Sequence, residues 1–329
     1  MPVDGYTEAV PSQTSLHPLF AQLTTSFAGS GRGLEQLGEL EPLDWHDLLL
    51  SLSVIHDLHT APLGHLDGRE RFQHHPGIAR LKWRLEEELV AELVRRDEAT
   101  LWNLPDTAAA AMRAIAARDL VPEVYDWLAE DADDDEIVDF LSLEGGPDGG
   151  FDDLVAICQV GLDGTAKLEL AQNYWDEMGA GSLARVHTEL HRKLSVALGL
   201  TTPPRHLLPI PALERSALTG LLATNRWLQP EMLGALGLLE LQAGPRCRRV
   251  VAALERIGAG HDALDFYVEH STVDPRHGKD WVDKAVTPFE SDARWATAIV
   301  RGARWRSIVN AGFFTALSDT FIGCQQRAS

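Results

Sequence analysis

Two histidines and one aspartate stand at helical spacing between residues 261 and 283. His270, Asp274 and His277 follow one another at steps of four and three residues, which places them within about 60° of one another on one face of an α-helix. Two imidazoles and a carboxylate on one stripe suit an octahedral, oxygen-tolerant metal such as iron better than a structural zinc. A solvated polar face explains the same pattern, so this stretch alone leaves both interpretations open.

A single glutamate interrupts an apolar segment that precedes this stretch. Glu240 lies among leucines, and Gly234 and Gly237 would let another helix approach closely. A lone carboxylate is costly to bury without a partner or a cation. We therefore expect Glu240 to be buried for a purpose, with an outward orientation as the alternative.

Another glutamate and histidine, Glu177 and His187, stand ten residues apart. On one ideal helix their side chains would lie about 80° apart rather than aligned. Gly179 and Gly181 stand between them, and a bend or break there can supply the missing rotation. By itself this spacing is a weak signal.

The elements that must position these side chains are helices. Apolar residues recur at three- and four-residue steps through most of the chain, and alternating strand patterns of useful length are absent, which predicts an all-α fold. The pattern indicates helices over 81–93, 105–118, 181–198, 207–224, 229–242, 246–257, 261–283 and 289–320. The pair Gly244–Pro245 predicts a loop, and Pro275 predicts a kinked or locally unwound helix near 271–278.

The first part of the chain differs in composition from the remainder. Residues 1–75 contain Gly, Ser and Pro throughout, which predicts an N-terminal helical or wrapping segment before a helical domain over 76–329. Five of the histidines in this segment have a loose, zinc-like spacing, but no carboxylate or second pair completes a tetrahedral set. We expect surface or capping roles for His56, His59, His65, His74 and His75.

Charge and cysteine content exclude several classes of protein. Asp and Glu number 49 against 29 Lys and Arg, giving a formal net charge of −20, so nucleic acids and anionic membranes are poor partners. Three scattered cysteines without a CxxC motif fit a reducing compartment. The sequence shows neither an apolar run of about 18 residues nor a secretion signal, so we expect a cytoplasmic protein.

Taken together, these residues resemble the haem-oxygenase-like diiron oxidases, which are known generally as iron-containing redox enzymes. The resemblance spans residues 76–285 and rests on NYWDEMGAGSLARVH, on a Glu thirty residues before the next motif, and on H-x3-D-x2-H. It implies a haem-oxygenase-like helical bundle with the cofactor between core helices. It also implies that the metal ligands are Glu177, His187, Glu240, His270, Asp274 and His277.

The function implied by the resemblance is that of a non-haem diiron enzyme, which uses two Fe(II) ions and O2 to oxidise a small metabolite. N-oxygenation of an amine or amino acid in a biosynthetic pathway is the leading hypothesis. Oxidative C–C cleavage, decarboxylation and desaturation are the alternatives.

An external electron donor is a candidate partner, and the apolar C-terminal helix could cover either the core or a second copy in a homodimer. Glu144, Asp152 and Asp153 stand near the position of a seventh ligand, and none matches it cleanly.

Two other classes of helical protein compete with this hypothesis. Ferritin-like diiron proteins carry paired Glu-x-x-His motifs, and this chain has none. The second class is a metal-free bundle that acts as a thiaminase or as a binding partner. A thiaminase-like site would need a catalytic cysteine beside acidic groups, whereas Cys158 and Cys247 have apolar or arginine neighbours and read as buried structural thiols.

Overall fold

The computed structural model describes residues 17–28, 33–145 and 150–328, with side chains throughout except at Asp274 and 324–328. Within these ranges there is no β-strand, and the all-α prediction is confirmed. The α-helices of the described part are α1 (Pro18–Ala28), α2 (Leu34–Leu37), α3 (Trp45–Thr60), α4 (Pro76–Ala99), α5 (Ala108–Arg118), α6 (Glu123–Glu130), α7 (Asp134–Glu144), α8 (Phe151–Cys158), α9 (Gly164–Glu177), α10 (His187–Leu198), α11 (Ile210–Thr224), α12 (Gln229–Arg256), α13 (His261–Asp280) and α14 (Ala293–Ala328).

The chain divides into two compact units. One comprises the described residues of Met1–Arg96 together with Arg205–Thr224, and the other comprises those of Asp97–Pro204 and Asn225–Ser329. The first unit contains α1 to α3, most of α4, and α11. The second contains the other helices, including the four that carry the expected ligands. The domain boundary after residue 75 stays a prediction.

In the second unit, α12 packs along both α13 and α14, and α10 packs along α13. Glycines make the contact between α12 and α14 close. A Cβ atom on Gly234 would lie 1.8 Å from the carbonyl oxygen of Ile299, and one on Gly302 would lie 1.9 Å from that of Glu231. The close helix packing expected at Gly234 is therefore confirmed.

The loop expected at Gly244–Pro245 is wrong, because α12 runs unbroken from Gln229 to Arg256. Gly244 faces α13 near Pro275, because a Cβ atom on Gly244 would lie 2.8 Å from Cγ of that proline. Proline in a helix interior costs about 3 kcal/mol. We infer that the packing of α12 on its neighbours offsets this local cost, a contribution that a local sequence rule does not count.

The helix α13 is also continuous across Pro275, so the local unwinding expected near 271–278 is wrong, and the alternative of a kink stays a prediction. Pro275 cannot donate a hydrogen bond to the carbonyl of Ser271. That carbonyl instead accepts one from the guanidinium group of Arg248 at 3.4 Å. The hydroxyl groups of Ser271 and Thr272 donate to the carbonyl of Val268, each at 2.9 Å, and α13 gives way to a π-helical segment only at Trp281–Val286.

Most of the apolar face of α14 is buried within this chain. Ile299, Trp305, Phe313 and Phe314 are all at most 3% exposed, whereas Trp295 and Ile308 are half-buried. This face therefore covers the core, as one of its two expected uses, and its use in a homodimer stays a prediction. None of the described helices combines the length and the apolar character that crossing a lipid bilayer requires.

The first unit buries one of the histidines that we expected at the surface. Nε2 of His56 lies 2.9 Å from a carboxylate oxygen of Glu86, and Nζ of Lys82 lies 2.8 Å from the same oxygen. Gly220 makes room for this group, because a Cβ atom there would lie 2.2 Å from Nδ1 of His56. The expectation is therefore wrong for His56, because its hydrogen-bond partner Glu86 lies on another helix and cannot be identified from the local sequence.

Candidate metal centre

The glutamate and histidine at ten-residue spacing lie on two separate helices. The helix α9 ends at Glu177, and α10 begins at His187. Between them, Gly179, Ala180 and Gly181 have φ angles of 59°, 50° and 86°, a left-handed conformation that glycine adopts easily. The break expected at these glycines is confirmed, and it brings Nδ1 of His187 to 2.7 Å from Oε2 of Glu177.

Glu240 and His277 meet where the backbones of α12 and α13 approach closely. A Cβ atom on Gly278 would lie 2.8 Å from the carbonyl oxygen of Glu240, so glycine next to His277 permits this approach. Nδ1 of His277 then lies 3.9 Å from Oε2 of Glu240. Both residues are at most 4% exposed, and the expected burial of Glu240 is confirmed.

Five of the six expected ligands form two groups that share one carboxylate. The groups are Glu177 with His187 and His270, and Glu177 with Glu240 and His277. Within each group, one ligand atom per residue lies within 4.8 Å of the others. The sixth residue, Asp274, lies on α13, but its side chain is outside the described side chains.

Hydrogen bonds determine which ring nitrogen of two histidines can face the cluster. Nδ1 of His270 lies 2.7 Å from the carbonyl oxygen of Phe266, so it carries the proton and leaves the lone pair on Nε2. Nε2 of His277 lies 2.9 Å from Oδ2 of Asp176, which assigns the proton to Nε2 and the lone pair to Nδ1.

Several buried polar atoms of the cluster have no hydrogen-bond partner. They are Nδ1 of His187, Nδ1 of His277 and Oδ1 of Asn173. Nδ1 of His187 is close to Glu177, but without the angles of a hydrogen bond. Buried polar atoms are nearly always satisfied in native proteins, so these atoms indicate a missing partner. Metal ions would supply one for the two ring nitrogens.

The electrostatics of the cluster also favour a cation. Burial, followed by the negative charge of Glu177, raises the pKa of Glu240 to about 8, so Glu240 resists ionisation when no cation is bound. Burial, followed by the nearby His187, lowers the pKa of His270 to about 4. His270 is therefore neutral near pH 7, which is the form that binds metal.

The donor set fits iron chemically. It consists of carboxylate oxygens and imidazole nitrogens without a thiolate, and such sets bind iron in many oxygen-activating enzymes. Glu177 belongs to both groups, so the donors form two sets that share one residue. The residues present could therefore hold two metal ions.

The residues considered for a seventh ligand have other surroundings. Glu144 accepts a hydrogen bond from the hydroxyl of Tyr125 at 3.1 Å. Burial raises the pKa of Asp152, with smaller contributions from the charges of Asp153 and Glu177. The charge of Glu177 therefore affects the pKa of Asp152. Among the described residues, however, the two ligand groups do not include Glu144, Asp152 or Asp153.

Two polar residues of α9 join the site without having been predicted. Asn173 is 1% exposed and donates from Nδ2 to Oε1 of Glu240 at 2.7 Å. Asp176 contacts His277 as described above. Asn173 precedes Glu177 by four residues, or about one helical turn, so the spacing could have predicted that both side chains lie on the same face of α9. Asp176 carried no comparable signal.

The buried thiol Cys158 tests the thiaminase-like alternative. Burial raises the pKa of Cys158 to about 12, and the reactive form of cysteine is the thiolate. We therefore expect iodoacetamide at mildly alkaline pH to leave Cys158 unmodified in the folded protein and to modify it fully after denaturation. Mass spectrometry of the peptides provides the measurement. Rapid modification of the folded protein would favour a nucleophilic cysteine instead.

Comparison with known proteins identifies the family. A family model described as iron-containing redox enzyme matches residues 139–310, just over half of the chain. All six expected ligands lie within the match. No curated protein matches the chain. The chain therefore belongs to the haem-oxygenase-like family of iron-containing redox enzymes, and it is an oxidoreductase.

Proposed function

We propose that this oxidoreductase is a non-haem diiron enzyme that uses O2 to oxidise a small metabolite. The observation that carries the proposal is the sharing of Glu177 by two ligand groups, because a carboxylate has two oxygens and could contribute a donor atom to each of two metal ions. His187 and His270 would complete the set of one ion. Glu240 and His277 would complete the set of the other.

Asp274 is proposed as the sixth ligand because of its position on α13. It follows His270 by four residues and precedes His277 by three. With Asp274 included, three carboxylates would offset most of the positive charge of two ferrous ions. When bound, these ions supply the electrons that activate O2.

The burial of most of the ligands would limit the access of water to the reaction. Glu177, Glu240 and His277 are at most 4% exposed, and the ring of Phe266 lies 4.3 Å from that of His270, centroid to centroid. Exclusion of water limits side reactions of a strong oxidant with solvent.

An amine or amino acid is the proposed substrate class, with N-oxygenation as the reaction. The net charge of −20 favours the approach of a cationic amine over that of an anionic fatty acid. Conversion of a primary amine to a hydroxylamine places one oxygen atom of O2 on nitrogen and releases the other as water. This balance requires two electrons and two protons, and we propose an external electron donor as their source.

Oxidative C–C cleavage, decarboxylation and desaturation are the alternative reactions, and mass spectrometry of the products distinguishes them from N-oxygenation.

A homodimer remains part of the proposal. It would use a surface other than the buried apolar residues of α14.

Iron binding and O2 uptake test the proposal directly. Protein loaded with Fe(II) without oxygen, and then freed of excess metal, should retain two iron ions per chain. Exposure to O2 should then give uptake that accelerates when a substrate amine is present. Retention of no iron, or O2 uptake no faster than that of free ferrous ions, would contradict the proposal.

A further inference from the structure

Asp176 connects α9 to α13 beside the proposed metal centre. Its Oδ2 accepts hydrogen bonds from Nε2 of His277 at 2.9 Å and from the guanidinium group of Arg276 at 2.8 Å. Its Oδ1 accepts one from the side-chain amide of Gln172 at 3.0 Å. Both oxygens are therefore held in place, and the side chain is only 18% exposed.

The contact with Asp176 determines how His277 is presented. The side chain of His277 is 3% exposed, and Nδ1 has no hydrogen-bond partner. Because Nε2 faces the carboxylate of Asp176, the unpartnered Nδ1 is the nitrogen that lies toward Glu240. A carboxylate that accepts the N–H of a metal-binding histidine fixes its tautomer and ring orientation, and it also increases the basicity of the ligand nitrogen.

The corresponding contact of His270 is different. His270 is oriented by the carbonyl of Phe266, one turn earlier on its own helix. The orientation of His270 therefore needs no other helix. His277 depends on a charged side chain from α9, and Glu240 likewise receives its hydrogen bond from Asn173 on α9.

We infer that Asp176 is a positioning residue that tunes one of the two metal positions, the one formed by Glu177, Glu240 and His277. This inference rests on the proposed function. The hydrogen bonds of Asp176 go to Gln172, Arg276 and His277, so in the described structure it does not orient His187 or His270 of the other position. The two positions are therefore unequal, and loss of Asp176 weakens one of them selectively.

Binding of Co(II) to the full chain tests this inference. Equilibrium dialysis with elemental analysis should show two Co(II) ions per wild-type chain. In Asp176→Ala, one ion should bind as tightly as before, and the affinity for the other should fall about 10- to 100-fold. Asp176→Asn keeps an oxygen acceptor but not the charge, so its affinity for the second ion should be intermediate.

Lys279→Met provides the matched control. It also removes a charged side chain from α13, but Lys279 is exposed and pairs with Asp283 at 2.7 Å, so this variant should bind both Co(II) ions with wild-type affinity. An NMR measurement gives an independent readout in metal-free protein, where ¹⁵N-labelled His277 should carry its proton on Nε2 in the wild type and lose this strict preference in Asp176→Ala.

The outcomes separate the inference from the proposed function. Two ions bound by the wild type and two bound with unchanged affinity by Asp176→Ala would overturn the role of Asp176 alone. Equal weakening of both ions in Asp176→Ala would also overturn it, since that result indicates a general structural role. Failure of the wild type to bind two ions would overturn the proposed function and the inference with it.

Discussion

Glu177→Ala should abolish tight binding of both iron ions, whereas His187→Ala should retain one. The difference follows from the geometry, because Glu177 belongs to both ligand groups and His187 to only one. Removal of Glu177 also leaves the two groups without a common carboxylate, so neither keeps more than two of its described donors. Iron content after anaerobic loading and desalting, measured by elemental analysis, provides the test.

Glu189→Gln is the control for this comparison. Glu189 lies on α10 like His187, but it pairs with Arg192 along the surface of that helix, at 2.7 Å. The Glu189→Gln variant should therefore bind two iron ions, as the wild type does. If Glu177→Ala and His187→Ala lost the same amount of iron, Glu177 would not be shared between two ions. The diiron proposal would then give way to a single metal site.

Helical periodicity was sufficient to predict the fold class, but the loop predicted at Pro245 and the unwinding predicted at Pro275 are not observed. Pro245 and Pro275 both stand inside continuous helices. Proline rules count the hydrogen bond that is lost within the helix. They do not count the packing of Pro275 against Gly244, or the donation from Arg248 to the freed carbonyl of Ser271, which arise only after distant segments have met.

The candidate site was predictable to the extent that its ligands follow a spacing within the chain. The break between Glu177 and His187 could be predicted because glycines mark it. The contacts of Asn173 with Glu240 and of Asp176 with His277 join residues 67 and 101 positions apart. Spacing within one helix cannot predict which side chain of a second helix will meet it, so these supporting residues became visible only in the structure.

Gly302→Ala should lower the free energy of unfolding by about 3 kcal/mol or more. The new Cβ atom would lie 1.9 Å from the carbonyl oxygen of Glu231 and 2.5 Å from its Cα atom. These are backbone atoms of α12, and they cannot swing aside as the end of a flexible side chain could. The overlap can be relieved only by separating α12 from α14. Urea unfolding followed by circular dichroism measures the loss.

Gly312→Ala separates this steric effect from the general effect of adding a methyl group to α14. Gly312 lies on the same helix, is exposed, and would have no atom within 4 Å of a new Cβ. Alanine favours the helix over glycine by about 1 kcal/mol, so this variant should be more stable than the wild type. The two substitutions are chemically identical and should have effects of opposite sign. Equal effects would mean that α12 and α14 do not pack as closely as the structure shows. Because α12 also carries Glu240, Gly302→Ala should in addition weaken Co(II) binding, whereas Gly312→Ala should leave it unchanged.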